Sequence, residues 1–155
     1  MSAIDRFTRA ALAVGLRPDI RRFPSGTKTA VAAAAAIGCD VAQIVKSLVF
    51  MADDRPVLAL TSGANRVDTA KLAALCGASA LRRATPEEAR HATGFTVGGT
   101  PPFGHPERLK TVVDEDLLKL EEVWAAAGTP DSVFSLRPGE LLRASGGMSA
   151  DFRES

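Results

Sequence analysis

Two apolar runs, residues 46–51 and 57–61, are separated by only Ala52-Asp53-Asp54-Arg55-Pro56. A link that short joins antiparallel neighbours, because parallel strands need a crossover of roughly a dozen residues or more. The runs therefore read as the two strands of a hairpin and ADDRP as its turn. The first run, Lys46-Ser47-Leu48-Val49-Phe50-Met51, lacks a clean period of two, as expected of a strand covered on both faces.

Helical signals surround this hairpin. Ile4, Phe7, Ala11 and Val14 share one helical face over residues 3–16. A short strand is expected over 20–23. Thr27 or Thr29 caps an alanine-rich helix that Gly38 closes. A helical turn near 41–44 precedes the hairpin. Asp68 then begins a helix that Gly77 stops, and residues 81–83 read as a strand. Thr85 and Pro86 open a further helix, ended by Gly94. Residues 110–114, 122–125 and 132–136 read as strands, with a turn at Leu117 and Leu118. Pro138 starts a last helix, and the tail from 146 to 155 is expected to be loose. This mixture predicts an α+β domain with a curved, mixed, mostly antiparallel sheet flanked by helices, not a doubly wound parallel fold.

The chain has 155 residues, 46% hydrophobic and 24% charged, which suits a single domain over 1–155. Its net charge of +1 does not fit a protein that coats duplex DNA through many phosphate contacts. Residues 1–28 are nevertheless a basic helix and arm, with Arg6, Arg9, Arg17, Arg21, Arg22 and Lys28 against Asp5 and Asp19. Such a run is either a solvated face or a small landing patch for a polyanion. Cys39 and Cys76 lie beside glycines in alanine-rich stretches and read as small buried residues; with two histidines they do not make a metal site. A reducing, cytoplasmic setting is expected. No signal peptide or membrane span is expected: the alanine run is too short to cross a bilayer.

Familiar catalytic signatures are missing: there is no GxSxG, no GxxxxGK[ST], no HExxH and no tyrosine. Asp114 and Asp116 flank Glu115 and read as a solvated turn or a weak cation site. Two features remain. Lys46 enters an apolar strand, either snorkelling to water or holding an ammonium at the mouth of a pocket. The segment Val97-Gly98-Gly99-Thr100-Pro101-Pro102-Phe103-Gly104-His105-Pro106 joins free φ at its glycines to fixed φ at its prolines. It is either a structural crossover with His105 packed inside it, or a rigid cradle for a small polar ligand with Phe103 as an apolar wall.

QIVKSLVF at 43–50, TSGANRVDTAKL at 61–72 and TGFTVGGTPPFGH at 93–105 resemble, in order and spacing, the YbaK/ProX family. These are free-standing relatives of the editing domain inserted in bacterial prolyl-tRNA synthetase, and the similarity runs from about residue 29 to 142. The resemblance implies a curved, barrel-like sheet and hydrolysis, in trans, of tRNA charged with the wrong small amino acid. It implies no cofactor and no metal. It places the family's essential lysine on Lys46 and its substrate loop on Gly98, Gly99, Thr100, Pro101, Pro102, Phe103, Gly104 and His105. The partner implied is the CCA end and acceptor stem of a mischarged tRNA, with Arg6, Arg9, Arg21 and Arg22 as weak contacts; a synthetase is a further candidate partner. The loop departs from many relatives, which carry serine at the position of Pro101, and Thr100 is bulkier than some counterparts; both are expected to line the pocket. A non-catalytic module that captures tRNA ends or a synthetase is the competing reading.

Overall fold

The hairpin forms where its short link requires it. In a computed structural model that describes residues 1–24, 27 and 29–155, β2 (Val45–Ala52) and β3 (Arg55–Ser62) pair antiparallel, with Lys46 opposite Thr61. Asp53 and Asp54 take positive φ, which Asp tolerates better than most residues. The Asp53 carboxylate accepts the N–H groups of Ser79 and Ala80, so the turn also anchors the entry to β4 (Leu81–Arg83). Lys28, counted in the basic arm above, lies outside the described residues.

The five helices start and stop at the residues that signal them. Thr29 caps α2 (Ala30–Ile37), Asp68 caps α3 (Thr69–Cys76) and Thr85 caps α4 (Pro86–Thr93), each through a side-chain oxygen. Gly38, Gly77 and Gly94 close them in the left-handed region. The N-terminal helix α1 (Ala3–Ala13) buries Phe7 and Ala11, and α5 (Pro138–Ser145) buries Leu141.

The strands make two sheets. One has the order β4-β2-β3-β5-β8, with β5 (Lys110–Asp114) parallel to both β3 and β8 (Met148–Ala150). The other, β1-β7-β6, is antiparallel throughout and contains β1 (Arg21–Arg22), β6 (Val123–Ala126) and β7 (Ser132–Leu136). The mixed, mostly antiparallel expectation holds. The expected barrel-like closure is not seen among the described residues. β2 pairs with β4 only at Phe50–Ala52, and the residue before it, Ile44, makes an isolated bridge to Trp124 of β6. The Val49 carbonyl still accepts the Ala84 N–H at 3.0 Å, and before Val49 this edge of β2 pairs with no strand among the described residues.

The tail is not loose. β8 extends the sheet, Phe152 is buried, and a bridge ties Val67 to Arg153. The acidic turn after β5 is not a solvated run either: Asp114 is 2% exposed. Cys39 and Cys76 are only half-buried, and both are free thiols. Among the described residues no helix is long and apolar enough to cross a membrane, and no cluster of His, Cys, Asp and Glu could hold a metal ion.

The junction of β4 and α4 carries an acid-sensitive contact. The Arg82 guanidinium donates to both oxygens of Glu88 at 2.7 and 2.8 Å, and the Thr85 N–H adds a third bond. The Arg82 contact first, and the Thr85 bond next, lower the Glu88 carboxyl to about 2. Because that value is depressed, the stabilisation is complete above the ordinary 4.5 and is lost as pH falls toward 2. The pair is exposed, so the expected effect is small. Melting curves should show Glu88→Gln losing less stability than wild type between pH 4.5 and 2.

Candidate functional site

The gap between β2 and β6 is a cavity of about 290 Å³. Its walls come from β2 (Val45–Val49), from α2 (Ala30 and Ala33) and from β6 (Trp124–Ala126), with Arg83 and Ala84 beside them. Val97, Gly98 and Thr100 bring one turn of the glycine-proline segment to the same space. Lys46 and Arg83 are the charged residues among the described lining. The alanines of α2 and β6 keep opposing walls low, which leaves room without a break in backbone packing.

Lys46 is half-buried, and its Nζ donates to the Asn65 carbonyl at 2.7 Å. Burial lowers its pKa first, and the Arg66 and Arg83 charges lower it further; Asp114 works in the opposite direction. An ammonium has three N–H donors, and among the described residues the Asn65 carbonyl accepts one of them. Snorkelling is thus replaced by a fixed position. Arg83 was not singled out in the sequence. Its guanidinium lies 5.6 Å from the centroid of the Phe50 ring, and its neighbour Arg82 turns the other way to Glu88. Only strand register separates the two arginines, and nothing local in Leu81-Arg82-Arg83 does.

The glycine-proline segment divides into two parts. Its first part reaches the cavity through Gly98, at φ +89°, and through Thr100, whose hydroxyl donates to the Thr96 carbonyl. Its second part is structural. A Cβ on Gly99 would sit 2.7 Å from Thr129 Cα, so this glycine admits another backbone rather than a ligand. Gly104 instead makes room for the Ala10 side chain of α1, whose Cβ would lie 2.8 Å from a Cβ here. Pro101 and Pro102 are buried and absent from the cavity walls, which corrects the expectation that Pro101 lines the pocket. Phe103 is also no ligand wall. It is 5% exposed and packs in the core with Phe7 and Phe134, at centroid distances of 5.3 and 6.2 Å.

His105 staples this second part. Its Nε2 hydrogen-bonds the Pro101 carbonyl at 2.9 Å, which requires the proton on Nε2. Its ring meets Phe95 edge-on. Burial lowers its pKa below 6.5, against the opposing pull of the Pro101 bond. The unfolded imidazole therefore binds protons that the folded one rejects, and stability rises with pH up to about 6.5. His105→Ala should lower the melting temperature and flatten that slope; a slope unchanged from wild type would exclude this role.

The four arginines of the N-terminal arm do not meet at one point. Arg21 stacks over the Trp124 ring at 5.1 Å, next to the cavity. Arg22 pairs with Asp131 at 3.0 Å. Arg6 covers Phe95 at 4.6 Å, and Arg9 is exposed on α1. Two polar groups of residues on the cavity walls, Ser47 Oγ and Trp124 Nε1, have no hydrogen-bond partner among the described residues.

A family model for the aminoacyl-tRNA editing domain matches residues 24–144, most of the chain and all the cavity walls. The chain belongs to this editing-domain family. A solved structure described as a "putative trans-editing enzyme for prolyl tRNA synthetase" superimposes with a TM-score of 0.94 at 45% identity, covering 100% of this chain and 99% of that one. The uncharacterized protein YwhH of Bacillus subtilis is 32% identical over 79% of this chain and 78% of its own. The proline–tRNA ligase of Streptococcus mutans is 39% identical over 62% of this chain, but the match spans only 16% of that much longer protein. The matched region thus makes up most of one relative and a small part of the other.

Proposed function

We propose that this chain is a trans-editing deacylase that hydrolyses the ester of a tRNA charged with the wrong small amino acid. The observation that carries this reading is Lys46. It is a half-buried ammonium bonded to the Asn65 carbonyl, set beside Arg83 on the wall of a small cavity. Two cations on low, alanine-rich walls suit an ester end carrying oxygens and a nearby phosphate, with a side chain no larger than the walls admit. The matched family supports the same reaction class.

An aminoacyl ester is already activated, so no covalent nucleophile is needed. Water bonds to the carbonyl carbon, and the carbonyl oxygen becomes an oxyanion. Its collapse breaks the bond to the terminal ribose oxygen, which takes the proton. The products are the free amino acid and intact tRNA. Lys46 donates to the developing oxyanion or holds the terminal adenosine phosphate beside it. Arg83 and Arg21 contact the acceptor end. Ser47 Oγ and Trp124 Nε1 pair with polar atoms of the bound ester, which would satisfy groups that are costly to leave buried alone. His105 keeps its loop in shape and is not the base.

Size alone discriminates weakly, by about 1–3 kcal/mol per methylene. The test is hydrolysis of tRNA charged with Ala, Ser, Cys, Thr or Pro. One or two small misacylated species should be cleared much faster than correctly charged prolyl-tRNA. Binding to tRNA without turnover of any species would leave the chain a binding module instead.

A further inference from the structure

The lysine is held by a turn, and the turn is held by a buried carboxylate. Residues 62–65 leave the end of β3, where the Asn65 N–H donates back to the Ser62 carbonyl at 2.9 Å. The outward side of that turn is the Asn65 carbonyl that accepts Lys46 Nζ. Asp114, at the end of β5, lies directly beneath. Its Oδ2 accepts the Ser62 N–H at 3.0 Å and the Asn65 side-chain amide at 2.8 Å, and its Oδ1 accepts the Asp116 N–H at 2.9 Å. The Asn65 amide also donates to Asp116 Oδ2 at 2.9 Å. From the other side the C-terminal tail closes over the same segment, with the Glu154 N–H donating to the Arg66 carbonyl at 2.8 Å. A buried carboxylate is costly unless such donors surround it; here two of the three, the Ser62 N–H and the Asn65 amide, come from the turn that carries Asn65, and the third is the Asp116 N–H of the turn after β5.

We propose that Asp114, acting through Asn65, is a positioning residue for Lys46: it fixes the turn whose carbonyl holds the ammonium of this cavity-wall lysine. The role rests on the deacylase reading for its consequence but on geometry for its existence. The charges that act on Lys46 are Arg66 beyond the turn, Arg83 on β4 and Asp114 on β5, and Asp114 alone favours its ammonium form. The described cavity walls from α2, β6 and residues 97–100 add no charged side chain.

The test uses the full chain with Asp114→Asn, which removes the charge but keeps the shape, and with Asn65→Ala at a half-exposed position. Two readouts are taken. Deacylation of the preferred charged tRNA should fall by about 10–100-fold in both variants, as expected when a reacting group is misplaced, while melting stays cooperative. The titration of Lys46, followed by its side-chain NMR signals and identified by their loss in Lys46→Arg, should move to lower pH in Asp114→Asn. The proposal is overturned if both variants keep rates within about twofold of wild type. It is equally overturned if rates fall only with the unfolded fraction while the Lys46 titration stays put. Should wild type hydrolyse no charged tRNA, the functional reading alone fails, and the substrate-free titration still decides the role of Asp114.

Discussion

Lys46→Ala should lower single-turnover hydrolysis of the preferred mischarged tRNA by at least about 100-fold, equivalent to roughly 2.7 kcal/mol of transition-state stabilisation. The size follows from the geometry. Lys46 is one of two charged groups among the described cavity walls, and Asn65 already holds it in place, so little reorganisation accompanies the reaction. The fold should not suffer. The lysine aliphatic stem is half-buried on β2, and its removal leaves the Lys46–Thr61 backbone pairing intact. Lowered burial of a cation even offsets part of the lost packing, because burial disfavours the charged form here. Melting within a few degrees of wild type, together with the lost rate, assigns the effect to chemistry. Lys46→Arg should not restore it, since the planar fork of guanidinium cannot take the same three-donor arrangement.

Phe103→Ala acts through stability. The ring is 5% exposed and sits against Phe7, itself fully buried, and Phe134. These three rings join α1, the glycine-proline segment and β7. Truncation removes buried area and leaves a cavity among rigid neighbours, at a cost of about 3–5 kcal/mol. For a domain of this size that is a large fraction of the total stability. Denaturant unfolding should show the midpoint falling sharply. If Phe103 were a ligand wall instead, its loss would change substrate preference and leave the midpoint almost unmoved.

Local chemistry made much of this fold readable. The strands Leu81–Arg83, Lys110–Asp114 and Ser132–Leu136 have the bounds expected from the sequence. The helices are marked by oxygen-bearing caps at one end and left-handed glycines at the other. β8 was hidden for a different reason. Met148-Ser149-Ala150 has no alternation of its own, and its partner β5 lies far back in the chain. The burial of Phe152 depends on that same distant pairing.

The site was legible to a similar depth. A lysine in an apolar strand marks itself, and the glycine-proline segment marks a rigid turn. The sequence does not say what each glycine touches. Gly99 meets Thr129 and Gly104 meets α1, and both are tertiary facts. Asp114 was harder still, since Asp114-Glu115-Asp116 has the composition of a solvated turn. Its burial follows only from the meeting of β5 with the end of β3.

The most direct test of the central claim is to locate the ester end of the substrate. Alanine joined by an amide to 3′-amino-3′-deoxyadenosine resists hydrolysis and reproduces the end of a mischarged tRNA. Titrated into isotope-labelled protein, it should shift the signals of Lys46, Ser47, Gly98, Thr100 and the Trp124 indole N–H, all residues of the cavity walls. Shifts confined to another surface, such as the open groove at Arg108 and Lys110, would contradict the assignment of this cavity as the editing site.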